Sequence, residues 1–189
     1  AHRPPPPRLL PRPKRRRDLP GEFAITPAAV VVPGPDPRPA RLLADALAER
    51  CGLRLRVVDA APRGAPAIDL TGAGLVPPDR PEGYALEVTP NRVRVAGHDP
   101  QGTLWGVQTL IQWLHAHPRG PLWPGVRIDD WPTLAFRGVH LFHGRDALPF
   151  HRKLLDRIVA RHKLNALVIQ CEQLRWDADP EVAPPWAGT

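Results

Sequence analysis

Between Gly83 and Trp113 the apolar positions first alternate, then break, then recur at a longer period. In Tyr84-Ala-Leu-Glu-Val88 and Arg92-Val-Arg-Val-Ala96 they fall at period two, and Thr89-Pro-Asn91 between them carries turn chemistry, which predicts an antiparallel hairpin. Gly97-His-Asp99-Pro100 interrupts the alternation: Asp99 can cap a helix amide, and Pro100 suits a first helical position, where its missing N–H costs nothing. From there Leu104, Val107, Leu110, Ile111 and Leu114 recur at helical spacing, while Gly102 and Gly106 would let that helix approach a sheet closely.

Upstream, Phe23-Ala-Ile25 and Val30-Val-Val32 read as short strands separated by proline-rich turns. Arg38 to Cys51 is predicted helical, with Leu42, Leu43, Ala46 and Leu47 as its apolar stripe and Gly52 as a left-handed cap. Leu53–Val58 and Ala67–Leu70 read as strands, and Thr71-Gly-Ala-Gly74 turns the chain toward the hairpin. Strands in this order with two helices predict an α/β sandwich built on a mixed or antiparallel sheet. Trp131-Pro132 closes it, since the residue before a proline is biased to extended backbone. Beyond Arg137 the pattern becomes strand (Val139–Phe142), helix (about Pro149 to His162) and strand (Ala166–Cys171), one parallel βαβ unit. The predicted organisation is a proline- and arginine-rich tail and linker over 1–19, the sandwich over 20–133, and the βαβ segment over 134–189.

Gly83-Tyr84, Gly97-x-Asp99, Gly102-x-x-x-Gly106-x-Gln108-Thr109-Leu110 and Ile128-x-Asp130-x-Pro132 together resemble the accessory domain that precedes the catalytic barrel in family 20 β-N-acetylhexosaminidases. The resemblance covers about residues 9 to 176: Arg137-Gly138 looks like the start of the first barrel strand, Leu155-Asp-Arg-Ile158 like the first helix, and Lys163-Leu-Asn165 like the entry to the second strand. It implies a glycosidase that removes terminal N-acetylhexosamine from a glycan, the rest of the barrel being a further partner and no cofactor being required. Residues 134 onward fall far short of the roughly 250 residues of a complete barrel, so the resemblance implies an incomplete one. In the family, hydrolysis is substrate-assisted and retaining. The sugar's acetamido oxygen attacks the anomeric carbon, an aspartate orients it and a neighbouring glutamate donates the proton. That pair belongs to the fourth barrel strand, beyond residue 189, so the resemblance assigns this chain no catalytic residue and the fragment alone is predicted inactive.

Substrate-binding candidates follow from the same match. Arg137 stands where the family projects a guanidinium into the sugar site, and such a fork can hydrogen-bond two adjacent hydroxyls; the plainer alternative is a junction arginine paired with Asp129 or Asp130. Arg145 falls where the family has a second arginine, but Phe142 occupies the usual position of its aspartate partner, and a surface arginine is the alternative reading. After Asn165 the family's histidine and paired aspartates are replaced by Leu167-Val-Ile-Gln-Cys-Glu-Gln, which leaves Gln170 and Glu172 as groups able to bind hydroxyls at the C-terminal end of a barrel strand. These departures favour the alternative of a noncatalytic carbohydrate-binding or interaction module.

Other chemistry is weaker. His140, His143 and His151 invite a zinc reading, but residues three apart on a strand point to opposite faces, so no metal site is assigned. Trp105, Trp113 and Trp123 read most simply as core or interdomain aromatics. Cys51 and Cys171 fall in separate elements and are read as buried free thiols.

Composition adds three constraints. The formal charge of +7 is concentrated in Arg12, Lys14, Arg15, Arg16 and Arg17, a run without interleaved aromatics. It reads as a solvated arm and no nucleic-acid partner is assigned. No apolar stretch is long enough to span a membrane, so no membrane partner is assigned either. With 27 prolines and no methionine, the sequence is read as a piece of a longer protein whose compartment is unknown.

Overall fold

The computed structural model describes residues 8–118, 120–142 and 147–170, and these form two compact units divided between Thr133 and Leu134. The first is a two-layer α/β sandwich. Its strands β1 (Arg15–Ala24), β2 (Val30–Val32), β3 (Arg56–Val57), β4 (Ala67–Asp69), β5 (Tyr84–Val88), β6 (Arg92–Gly97) and β7 (Leu122–Asp130) form one sheet in the order β1-β7-β5-β6-β4-β2-β3. The half from β1 to β6 is antiparallel, whereas β6, β4, β2 and β3 run parallel, so the sheet is mixed.

The hairpin and its helix set the core. Leu86, Val88, Val93 and Val95 point to one face, where helix α2 (Pro100–Gln112) covers them with Val107, Leu110 and Ile111. Asp99 caps α2 by accepting the Gly102 amide at 2.7 Å, with Pro100 in the first turn. Helix α1 (Arg38–Cys51) packs beside α2 through Leu43 and Leu47, and Gly52 closes it at φ +69°. Trp105, Trp113 and Trp123 are all buried in this layer. Their indole N–H groups donate to Glu82 Oε2 (2.7 Å), Pro124 O (2.9 Å) and Leu110 O (2.8 Å) respectively, so each polar edge is satisfied. The opposite face of the sheet carries ion pairs between neighbouring strands, Arg94–Glu87 (3.2 Å), Arg127–Glu87 (3.8 Å) and Arg92–Asp69 (3.5 Å).

The N-terminus departs from the sequence reading. Residues 1–7 lie outside the described residues, but Arg15 to Asp18 are not linker: they pair with Val126 to Asp129 as the first half of β1. An edge strand tolerates arginines and a proline because one side of its backbone needs no sheet partner. Arg15 lies over the Trp131 ring at 5.4 Å and Arg16 over Trp113 at 4.5 Å, so the predicted solvated arm is partly anchored by aromatic faces. Between Asp18 and Glu22 the strand bulges around Gly125, where a Cβ would lie 2.6 Å from Leu19 O. Elsewhere the differences are small. Strand β3 keeps only Arg56 and Val57 of the expected Leu53–Val58, and Cys51 is partly rather than fully buried, its thiol pushed up in pKa by that burial. Cys171 falls outside the described residues.

The second unit is a β–α–β segment: β8 (Gly138–Phe142), α3 (Ala147–Leu154, continued by a π-helical turn Leu155–Val159) and β9 (Ala166–Gln170). The two strands pair in parallel, Gly138 opposite Ala166 and Phe142 opposite Gln170. Phe136, Phe142, Leu148, Phe150, Ile158 and Val168 are exposed in this unit.

Candidate functional site

The predicted sugar contacts either map to the second unit or lie outside the described residues. Arg137 directly precedes β8, at the N-terminal end of the parallel pair. Its backbone N–H donates to Asn165 Oδ1 (2.9 Å), and its guanidinium donates to the carbonyls of Lys163 (Nε, 2.9 Å) and Leu134 (Nη1, 2.7 Å). Asn165 reaches back through Nδ2 to Ala135 O at 2.7 Å. The Lys163-Leu-Asn165 run therefore works as a clamp: Lys163 turns the chain at φ +60°, its carbonyl receives the arginine, and Asn165 fixes the entry of β8. Sequence reasoning quoted this run without assigning Asn165 that positioning task.

Gln170 closes β9 beside Phe142, at the C-terminal end of the pair. Five residues of strand separate it from the Arg137 end, roughly 16 Å at 3.3 Å per residue, so the pair's own geometry does not bring these two side chains to one end. Phe142 is 68% exposed there, and its ring lies 5.7 Å from that of His140 on the same strand face. Arg145, Glu172 and His143 lie outside the described residues, as do Asp177, Asp179 and Glu181. In the first unit Asp129 and Asp130, the carboxylates of the junction-arginine alternative, have local partners. Arg127 donates to Asp129 at 2.9 Å, while Asp130 accepts from the Lys14 amide (3.1 Å) and the Tyr84 hydroxyl (3.1 Å).

Among the described residues no group of three or more His, Cys, Asp or Glu side chains is disposed to hold a metal ion, and no helix is long and apolar enough to cross a membrane. Residues 6–131 match the profile of glycosyl hydrolase family 20, domain 2, and so span the whole sandwich. The chain belongs to glycosyl hydrolase family 20. A β-hexosaminidase from Porphyromonas gingivalis (strain ATCC BAA-308 / W83) is 33% identical over 135 residues, which cover 67% of this chain and 17% of that relative. Among solved structures, the family 20 β-N-acetylhexosaminidase from Streptomyces coelicolor A3(2) superposes with a TM-score of 0.76 at 27% identity, covering 97% of this chain and 39% of that one. A mutant β-hexosaminidase from Streptomyces plicatus in complex with its product GlcNAc gives 0.73 at 28% identity, over 93% and 37% respectively. This family 20 chain thus spans well under half the length of the relatives it matches.

Proposed function

We propose that this chain is the accessory domain and the opening βαβ segment of the catalytic barrel of a hydrolase that removes terminal N-acetylhexosamine residues by the substrate-assisted, retaining route. The observation that carries the reading is the second unit. A parallel strand pair with one helix leaves Phe142, Phe150, Ile158 and Val168 exposed, the surface a further set of strands and helices would bury. In this reading the sandwich buttresses the barrel, Arg137 orients the sugar, with Arg145, Gln170 and Glu172 as further hydroxyl ligands, and the aspartate–glutamate pair is supplied from outside these residues. The match of residues 6–131 to the family profile and the GlcNAc-bound relative support the substrate class.

A second reading, a carbohydrate-binding or interaction module without catalysis, is favoured by Phe142, which stands where the family usually has an acidic partner. Incubating the present chain with a chromogenic N-acetyl-β-glucosaminide tests the placement of the catalytic pair. No turnover is expected, and hydrolysis above the uncatalysed rate would show that the acid and its helper lie within these residues.

A further inference from the structure

The sandwich contains a feature that neither reading uses. Strand β2 leads through α1 to β3 on one side, whereas β4, its neighbour on the other side, leads away toward β5 and β6. Connections that leave the C-terminal ends of adjacent parallel strands in opposite directions make a topological switch point, where open α/β sheets form their ligand crevices. A cleft of about 220 Å³ opens at that point, between the loop after β2, the loop after β4 and the first turn of α2. We propose that it binds one neutral sugar residue.

The chemistry of the lining selects the ligand. Pro35, Leu70 and Pro100 supply apolar surface, and Asp36, Thr71 and Thr103 supply oxygens. Anions are disfavoured although a helix begins here. Pro100 has no amide N–H, and Asp99 takes the Gly102 amide through Oδ1 and the Thr103 amide through its backbone carbonyl at 3.2 Å, so few of the donors that draw phosphate to helix starts are left. Cations are disfavoured too, because the Arg38 guanidinium lies 2.8 Å from Asp36 Oδ2 and holds that carboxyl below its ordinary pKa. What remains is hydrogen-bonding capacity without strong net charge: the spare lone pairs of Asp36, and the hydroxyls of Thr103 and Thr71, the latter already directed to Asp69 Oδ1 at 2.6 Å. Set against apolar walls, that suits a ring bearing several hydroxyls. The volume lies below the roughly 300 Å³ at which drug-sized pockets begin, which limits the occupant to a single ring.

The proposal adds a site to the accessory domain whichever account of the parent's catalysis holds, and its test does not depend on turnover. The isotope-labelled full chain would be titrated with N-acetylglucosamine, glucose and inorganic phosphate while backbone amide shifts are followed. Saturable shifts of the Gly72, Gly97 and Thr103 amides are expected with both sugars and none with phosphate. Thr103→Val and Asp36→Asn, which preserve shape and the helix-start acceptor, should each weaken the sugar response about three- to tenfold, the worth of one hydrogen bond. Unmoved cleft amides, shifts confined to residues 166–170, a response to phosphate at the cleft, or variants that bind as the original chain does would each overturn it.

Discussion

Tyr84, the single tyrosine of the chain, ties the hairpin, α2 and the end of β7 together. Its hydroxyl lies 2.6 Å from Thr109 Oγ1 and donates to Asp130 Oδ2 at 3.1 Å, in surroundings that bury it completely. Burial first, and the Asp130 charge second, push its pKa well above the ordinary value, with the Thr109 hydrogen bond pulling the other way. An unfolded tyrosine ionises near pH 10, so the folded state keeps a proton that the unfolded state loses. This contribution to stability is fully present below about pH 10 and is lost as pH rises through the folded pKa. Tyr84→Phe should cost about 1–2 kcal/mol at neutral pH, since it strips a partner from two buried oxygens, and should abolish this part of the alkaline slope in urea midpoints. The phenolate absorbance of the original chain should appear together with unfolding. A phenolate signal at the ordinary pKa in a chain that stays folded would contradict the assignment. Asn165 is a contrasting case. Its partners Arg137 and Ala135 lie 28 and 30 positions away, so no local pattern announces the clamp.

The β5–β6 hairpin and α2 dock through two glycines that differ in what surrounds them. A Cβ on Gly102 would lie 2.1 Å from Gly83 O, a backbone atom fixed by the hairpin, whereas one on Gly106 would meet Val95 Cγ1 at 2.4 Å, a side-chain methyl rather than backbone. Overpacking costs typically about 1–3 kcal/mol where side chains can shift. Gly106→Ala should therefore fall within that range and Gly102→Ala at or beyond its upper end, as compared by chemical denaturation; equal costs would show that the helix moves as a body instead. These elements were legible because each is written locally: alternation, turn residues, Asp99 and Pro100, then helical spacing. Strand β1 was not. Its Arg15–Arg17 run looks like a solvated tail until β7, more than a hundred positions away, pairs with it, and the Pro124-Gly125 interruption that hides β7 is the site around which the β1 bulge folds. The short β3 shows the reverse error, in which an alternating pattern outruns the two residues its single neighbour pairs.

For the chain as a whole, the charge and the apolar surface fall into different places with different meanings. Part of the positive charge lies on the edge strands, as Arg15–Arg17 in β1 and Arg56 in β3, and part on the sheet face away from the helices, where Glu87, Asp69 and Asp129 pair with Arg92, Arg94 and Arg127. Charge on strand edges opposes edge-to-edge association. The apolar surface belongs to the βαβ unit, whose strands are too few to close on themselves. Family and accessory fold were readable because the motifs at Gly97, Gly102, Gly106 and Ile128 are packing requirements of one sandwich. Of the proposed sugar contacts, Arg145 and Glu172 lie outside the described residues, and Gln170 stands at the far end of the strand pair from Arg137, a separation that residue identities alone do not announce. The most direct test of the proposed function takes the protein as its gene encodes it and follows hydrolysis of an N-acetyl-β-glucosaminide by proton NMR. Release of N-acetylglucosamine first as the β-anomer, sharply reduced by Arg137→Ala in a protein that still folds, is the predicted result; a well-folded barrel that cleaves no β-N-acetylhexosaminide would contradict the account.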